Sequence, residues 1–239
     1  MSGFVVAIDG PAASGKSSTA RAVAERLGFH HLDSGALYRA VTLVALEERA
    51  RVGGDSPLPF SALDIERILR RAEDRGLLLV PDGAGFAVYL DGVPAEDRIR
   101  AADVTAAVSE VAAIPAVRTW VDLRLRQLVR AGRDVVVDGR DIGTVVFPEA
   151  PVKVFLTASP EARALRRLRQ RGTEPGAAEV AAEAERLANR DRLDAGRAVA
   201  PLRRASDAVE IDTSNLAFAA QVERIVALVA PRLGGRPPG

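Results

Sequence analysis

Gly10, Gly15, Lys16 and Ser17, in the stretch "AIDGPAASGKSSTA" (Ala7–Ala20), follow the spacing Gly-x-x-x-x-Gly-Lys-Ser. Those residue types at that spacing suit a chain of phosphates. The glycines let the backbone curl until successive N–H groups face one concavity. A helix starting there adds its partial positive charge. Lysine offers a compact ammonium on a flexible stem that reaches outer phosphates, whereas the planar fork of arginine fits the cradle less well. The choice is specific, because Lys16 and Lys153 are the only lysines among 33 basic residues. Ser17 supplies a hydroxyl suited to Mg²⁺, which keeps much of its water shell and bridges phosphate oxygens. Such a loop does not by itself choose among GTPases, motor-like ATPases and small-molecule kinases. No stretch clearly supplies the specificity loop expected of a GTPase.

Three other stretches carry charge in places where a second anion would bind. "LDSGALYR" (Leu32–Arg39) puts Ser34, Tyr38 and Arg39 around a helix start; either they hold a phosphate or Ser34 caps a helix with Arg39 in solvent. "VVVDGRDIGT" (Val135–Thr144) sets Asp138, Arg140 and Asp141 just beyond an apolar strand, where open α/β sheets bind ligands. Asp138 would act through water on Mg²⁺, Arg140 would clamp phosphate, and Asp141 would orient a base or an arginine. In "NRDRLDAGRAVAPL" (Asn189–Leu202), Arg190, Asp194 and Arg197 fall at i, i+4 and i+7, on one face of an expected helix. An exposed, salt-bridged helix explains that spacing equally well.

"PEARALRRLRQRG" (Pro160–Gly172) is densely cationic, with Arg163, Arg166, Arg167, Arg169 and Arg171. It reads as a solvated helix face or as a lid whose arginines close over a transferring phosphoryl group. His30 and His31 lack metal-ligand spacing with any partner and read as structural. No metal beyond nucleotide-borne Mg²⁺ is expected.

The elements that must position these groups follow from periodicity. Phe4–Ile8, Asp134–Val137 and Val152–Leu156 are short, apolar and rich in β-branched residues, as strands buried on both faces should be; Val209–Ile211 is a weaker run. Helices are expected over Ser17–Leu27, Ala36–Ala50, Val117–Ala131, Glu161–Arg171, Glu179–Arg192 and Leu216–Val229, beside a further one at Leu63–Arg75. Strands separated by long helices imply parallel pairing. Leu77–Val80 and Phe86–Leu90 flank "PDGAG" and predict a β-hairpin.

At 239 residues, 48% hydrophobic and 27% charged, the chain has the balance of a globular protein with one substantial core. A net charge of +1 gives no global field for nucleic acid or an anionic membrane. The absence of cysteine excludes disulfides, thiolate metal sites and cysteine nucleophiles. No apolar run reaches the length of a membrane span, and no basic-then-apolar leader is present, so a cytoplasmic protein is expected.

"IDGPAASGKSS", "LDSGALYR", "VVVDGRDIGTVVFPEAPVKVFL" and "DAGRAVAPL", in this order and spacing, closely resemble the bacterial cytidylate kinases. The similarity runs from about Phe4 to Val229, and the second half of the set is far more specific than the phosphate loop. The resemblance implies an α/β, three-layer P-loop kinase fold with a parallel central sheet, a small antiparallel insert and a helical lid. Residues 1–55 and 102–230 would form the core, with a lid at about 159–173. Residues 56–101 would be the insert of the CMP-binding region, and 231–239 a flexible tail.

By position, the resemblance assigns ATP and its Mg²⁺ to Gly10, Pro11, Ala12, Ala13, Ser14, Gly15, Lys16, Ser17 and Ser18. It assigns CMP or dCMP to Ser34, Tyr38, Arg39, Ser109, Arg118, Arg140, Asp141, Arg190, Asp194 and Arg197. Arg39 and Arg140 would hold its phosphate. Ser109, Arg118, Asp141 and Arg197 would read cytosine, with Arg190 and Asp194 near the ribose. Lys16, Arg39, Asp138 and Arg140 would carry the catalysis, with Arg163, Arg166 and Arg167 in the lid. A monomer acting on small molecules is expected. A kinase of UMP, AMP or shikimate, or a nucleotide-binding protein without turnover, are the alternatives. Lys16→Ala is expected to lose most turnover while its melting temperature stays near that of the parent; near-normal kcat would refute the phosphate-loop reading.

Overall fold

A computed structural model of the chain describes residues 3–52, 58–170, 172 and 174–234. Contacts divide it into two compact units. Residues up to Leu32 and those from Val129 onward form the first, and Asp33–Leu128 form the second. The chain opens with β1 (Val5–Asp9), α1 (Lys16–Leu27) and β2 (His30–Asp33). There follow α2 (Ser34–Val52), α3 (Ile65–Asp74), β3 (Leu78–Asp82), β4 (Gly85–Leu90), β5 (Val93–Pro94), α4 (Glu96–Ile99), α5 (Ala102–Val111) and α6 (Pro115–Arg130). It closes with β6 (Val135–Gly139), β7 (Val152–Thr157), α7 (Pro160–Arg169), α8 (Ala177–Ala195), β8 (Val209–Asp212) and α9 (Phe218–Val229).

In the first unit the strand order is β2-β6-β1-β7-β8. β1 pairs in parallel with β6 and β7, and β7 with β8. β1 is therefore central, and all five of its residues are buried. Phe4, Val6 and Ile8 pack with Ala20, Val23, Ala24 and Leu27 of α1 and with Val222, Ile225 and Val229 of α9. Removing that apolar area from water is the main force holding the helices on the sheet. The chain leaves β1 toward β2 on one side and later crosses to β7 on the other, so the strand order reverses at β1. Crevices at such reversals, outside the strand carboxyl ends, are where open α/β sheets take ligands. The register places Asp9 opposite Gly139, which brings the glycine loop after β1 and the "GRDIGT" turn after β6 out side by side.

The second unit is built on α2, whose Leu37, Val41, Val44 and Ala45 are buried, with α3 and α5 against it. β3 and β4 form the expected hairpin, but its strands run further into "PDGAG" than periodicity indicates, with Pro81 paired to Phe86. The stretch read as an insert, 56–101, falls within this unit from Leu58 onward; Ser56 and Pro57, at its start, lie outside the described residues.

Several elements differ from the periodicity reading. β2, "HHLD", carries one apolar residue in four and shows no strand pattern in sequence. α8 ends at Ala195 with Gly196 as its cap, so Arg197 lies beyond the helix and the i+7 helical spacing does not hold. Ile142–Val146 forms a single π-helical turn in what reads as a loop; such turns are rare and concentrate at functional sites. Arg171, expected in the lid, and 235–239 of the expected tail lie outside the described residues. No single helix among the described residues is long and apolar enough to cross a membrane.

Gly10 is the tightest point of the frame. Its φ is +150°, and a Cβ there would sit 2.1 Å from the carbonyl oxygen of Leu156 in β7. Gly10→Ala is therefore expected to destabilise the fold by about 3 kcal/mol or more. Gly83→Ala, in the hairpin turn with nothing within 4 Å of the added Cβ, is expected to cost only about 1 kcal/mol. Urea unfolding of both variants checks the contrast.

Candidate active site

Beyond β1 the backbone turns through Gly10, Ala13 (φ 57°) and Gly15 (φ 89°) before entering α1. Ala13 holds a left-handed conformation that costs a non-glycine residue roughly 1–2 kcal/mol, so the surrounding bonds must enforce the curl. The hydroxyls of Ser18 and Thr19 donate to the Gly15 carbonyl at 2.9 and 2.7 Å. Lys16 is buried, and its ammonium donates to the Pro11 carbonyl and, at 3.3 Å, to Ser14 Oγ. Burial holds Lys16 well below the usual lysine range, and the Arg140 guanidinium adds to the effect, against the pull of Asp138, Asp191 and Asp9. Two cations thus converge on one place, an arrangement that a polyanion relieves.

Ser17, first-turn neighbour of Lys16, donates from Oγ to Asp138 Oδ2 at 2.6 Å. The other carboxylate oxygen, Oδ1, is 2.7 Å from Nε2 of buried His31. Burial pushes the Asp138 carboxyl up, but hydrogen bonds from His31 and Ser17 and the charge of Lys16 outweigh it and hold the group below its ordinary value. Ser17 and Asp138 are hard oxygen donors, the kind Mg²⁺ takes. Among the described residues no cluster of three or more His, Cys, Asp or Glu could cage a metal. A cation here would therefore draw most of its ligands from phosphate and water.

Asp9 ties the two loops together. Its carboxylate accepts the backbone N–H of Ile142 and of Gly143, each at 2.8 Å, from the π-turn that follows Asp141. Gly143 has little room for a side chain, since a Cβ would come 3.1 Å from Lys153 and 3.4 Å from Asp9. Burial raises the Asp9 pKa to about 6, against the lowering effect of those two N–H bonds. Asp141 itself is buried at the start of the turn.

Arg140 donates from Nε to Asp194 Oδ2 at 3.0 Å, and Arg197 bonds the other oxygen of the same carboxylate. Asp194 is buried, which pushes its pKa up, yet Arg140, Arg197 and Arg190 together hold it below its ordinary value. Asp191 makes a second bridge. It accepts the Ala12 N–H of the glycine loop at 2.8 Å and pairs with Arg163 of α7, whose guanidinium also donates to the Ala12 carbonyl at 3.1 Å. Arg166 is held by Thr213, through Oγ1 at 2.9 Å and through the carbonyl. Arg167 is half-buried.

In the second unit, Ser34 is the first residue of α2 rather than its cap, and it is buried. Arg39 donates to Thr105 Oγ1 at 2.8 Å and to the Ile99 carbonyl at 3.4 Å. The Arg118 guanidinium lies 5.2 Å from the ring centre of Tyr38 and donates to the Ala112 carbonyl at 3.0 Å. Ser109 is half-buried on α5.

A family model described as cytidylate kinase matches residues 6–231. The chain belongs to the cytidylate kinase family. It is 44% identical over 235 residues to a cytidylate kinase of Mycobacterium leprae, covering 98% of this chain and 99% of that one. A cytidylate kinase of Rhodococcus jostii is 44% identical over 231 residues, with 97% and 96% covered. One of Streptomyces griseus is 42% identical over 229 residues, with 95% and 93% covered.

In this member of the cytidylate kinase family, the first unit brings together the glycine loop, Lys16, Ser17, Asp138, Arg140, Asp194 and Arg197, which stand far apart in the sequence. Three further residues join the same network, and sequence reasoning assigns none of them to the site. Asp9 carries one hint, a charge that ends an otherwise apolar run. His31 reads as structural in sequence, and its place against Asp138 follows from strand order alone. Asp191 looks like any other charge in "NRDRLD".

Asp9 also sets a pH dependence. Its folded value, about 6, lies above its ordinary 3.8, so the folded chain binds this proton more tightly than the unfolded one. Stability from this group is therefore complete below about pH 4 and falls as pH rises to about 6. Asp9→Asn is expected to remove that slope, by on the order of 2 kcal/mol. Urea unfolding near pH 4 and near pH 7 measures it.

Proposed function

We propose that the chain transfers the γ-phosphoryl group of ATP to CMP, and to dCMP, giving ADP and CDP or dCDP in pyrimidine nucleotide metabolism. The observation that carries this reading is the pairing of β1 with β6. It sets a phosphate loop with a buried lysine beside a turn bearing Arg140 and Asp141. One loop suits a donor polyphosphate and the other an acceptor.

Residues Gly10 to Ser18 take ATP, with Lys16 reaching the donor and transferred phosphates. Mg²⁺ bound with ATP neutralises charge on the β- and γ-phosphates. Ser17 and Asp138 are the groups that would hold it, Asp138 through water. Within the first unit Arg140 takes the acceptor phosphate, Asp141 and Arg197 read the base, and Arg190 and Asp194 serve the ribose. Within the second, Arg39 serves the phosphate and Ser34, Tyr38, Ser109 and Arg118 the nucleoside. Arg163, Arg166 and Arg167 belong to the lid. Charge spreads over the equatorial oxygens of the transferring group, so fixed cations and alignment supply the catalysis. A phosphate-monoester oxygen is already nucleophilic at neutral pH, and no strong base is required.

Cytosine differs from uracil in carrying an exocyclic amine where uracil has a carbonyl. An ionised carboxylate accepts and never donates, so Asp141 favours the amine and repels the carbonyl. The enzyme is proposed to work as a cytoplasmic monomer on small molecules.

A coupled assay offering ATP with CMP, dCMP, UMP, AMP and shikimate in turn tests this reading. Turnover is expected to be fastest with CMP and dCMP. Preference for another acceptor, or no turnover with any, overturns it. In the same assay Asp141→Ala is expected to reduce the CMP-over-UMP preference about tenfold or more, while the KM for ATP changes little.

A further inference from the structure

His31 stands outside the proposed reaction, yet it is buried against the group that holds Ser17. β2 carries it to the flank of β6, where the His30 N–H bonds the Asp134 carbonyl at 3.0 Å. Its Nε2 is 2.7 Å from Asp138 Oδ1, while Ser17 Oγ is 2.6 Å from Oδ2. An ionised carboxylate can only accept hydrogen bonds. Both neighbours must therefore donate, which puts the imidazole proton on Nε2 and points the Ser17 hydrogen at Asp138. A hydroxyl so committed presents only oxygen lone pairs to its other side, the side a cation needs. The carboxylate's own torsion is broad and nearly two-fold, so its orientation is set by the groups that hold its two oxygens. The bond from His31 holds Oδ1 and opposes rotation away from Ser17.

We propose that His31 is a positioning residue for metal–nucleotide binding: it locks Asp138 so that the Ser17 oxygen faces the cation carried by the nucleotide. The inference rests on the kinase reading above, and it deepens the part played by β2.

The test uses the full chain and its variants His31→Leu and His31→Gln, the second keeping an N–H donor at similar reach. Binding of ADP is measured by calorimetry with Mn²⁺ and again with chelator, and bound Mn²⁺ is followed by electron paramagnetic resonance. His31→Leu is expected to weaken metal-dependent ADP binding about tenfold, with metal-free ADP binding and CMP binding within about twofold. His31→Gln is expected to recover most of the loss. Equal losses with and without metal, no loss at all, or no recovery by glutamine would each overturn the proposal. Should the leucine variant not fold, nitrogen-15 spectra of the parent chain decide: a proton on Nε2 supports the proposal, and its absence there overturns it. Failure of the parent chain itself to bind ADP with Mn²⁺ overturns the kinase reading instead.

Discussion

Two backbone N–H groups of the turn after β6, those of Ile142 and Gly143, close on the carboxylate of Asp9 at the end of β1, each at 2.8 Å. The loop that follows Asp9 is the phosphate loop, and the residues that precede Ile142 are Arg140 and Asp141. A single buried side chain therefore fixes the glycine loop against the turn that carries Arg140 and Asp141. Hydrogen bonds to a charged acceptor are worth roughly 1.5–3 kcal/mol each, enough to offset much of the burial that raises Asp9 to about 6. Gly143 is part of the same constraint, because a side chain there would press on Lys153 as the turn closes.

The same device recurs around the site. Asp138 takes bonds from Ser17 and His31, Asp191 from Ala12 and Arg163, and Asp194 from Arg140 and Arg197. A buried carboxylate left without partners costs several kcal/mol, so each pairing is strongly enforced once the strands are in place. The aspartates hold the loops and the arginines in fixed positions. That is what catalysis by alignment and fixed charge requires. The nearly neutral total charge conceals this local organisation.

How far the sequence reveals this depends on the range of each interaction. β1 is legible because its residues are buried on both faces, so they must be apolar or end the run. The hairpin is legible from its glycine turn, although its strands extend further than expected. β2 is not, because "HHLD" owes its strand conformation to its place beside β6 and not to its own pattern. Arg197 continues a helical spacing in sequence, but Gly196 ends α8 and Arg197 reaches Asp194 from outside it.

The sequence by itself determined the phosphate loop, the alternation of strand and helix, and the family, because each is written in contiguous residues whose backbone chemistry is local. The tertiary structure alone decided which aspartate serves which partner. Asp9 and Ile142 are 133 residues apart, and His31 and Asp138 are 107 apart. Only the strand order β2-β6-β1 brings those pairs together. A carboxylate's role depends on the donors that replace its water, and those donors come from neighbouring strands.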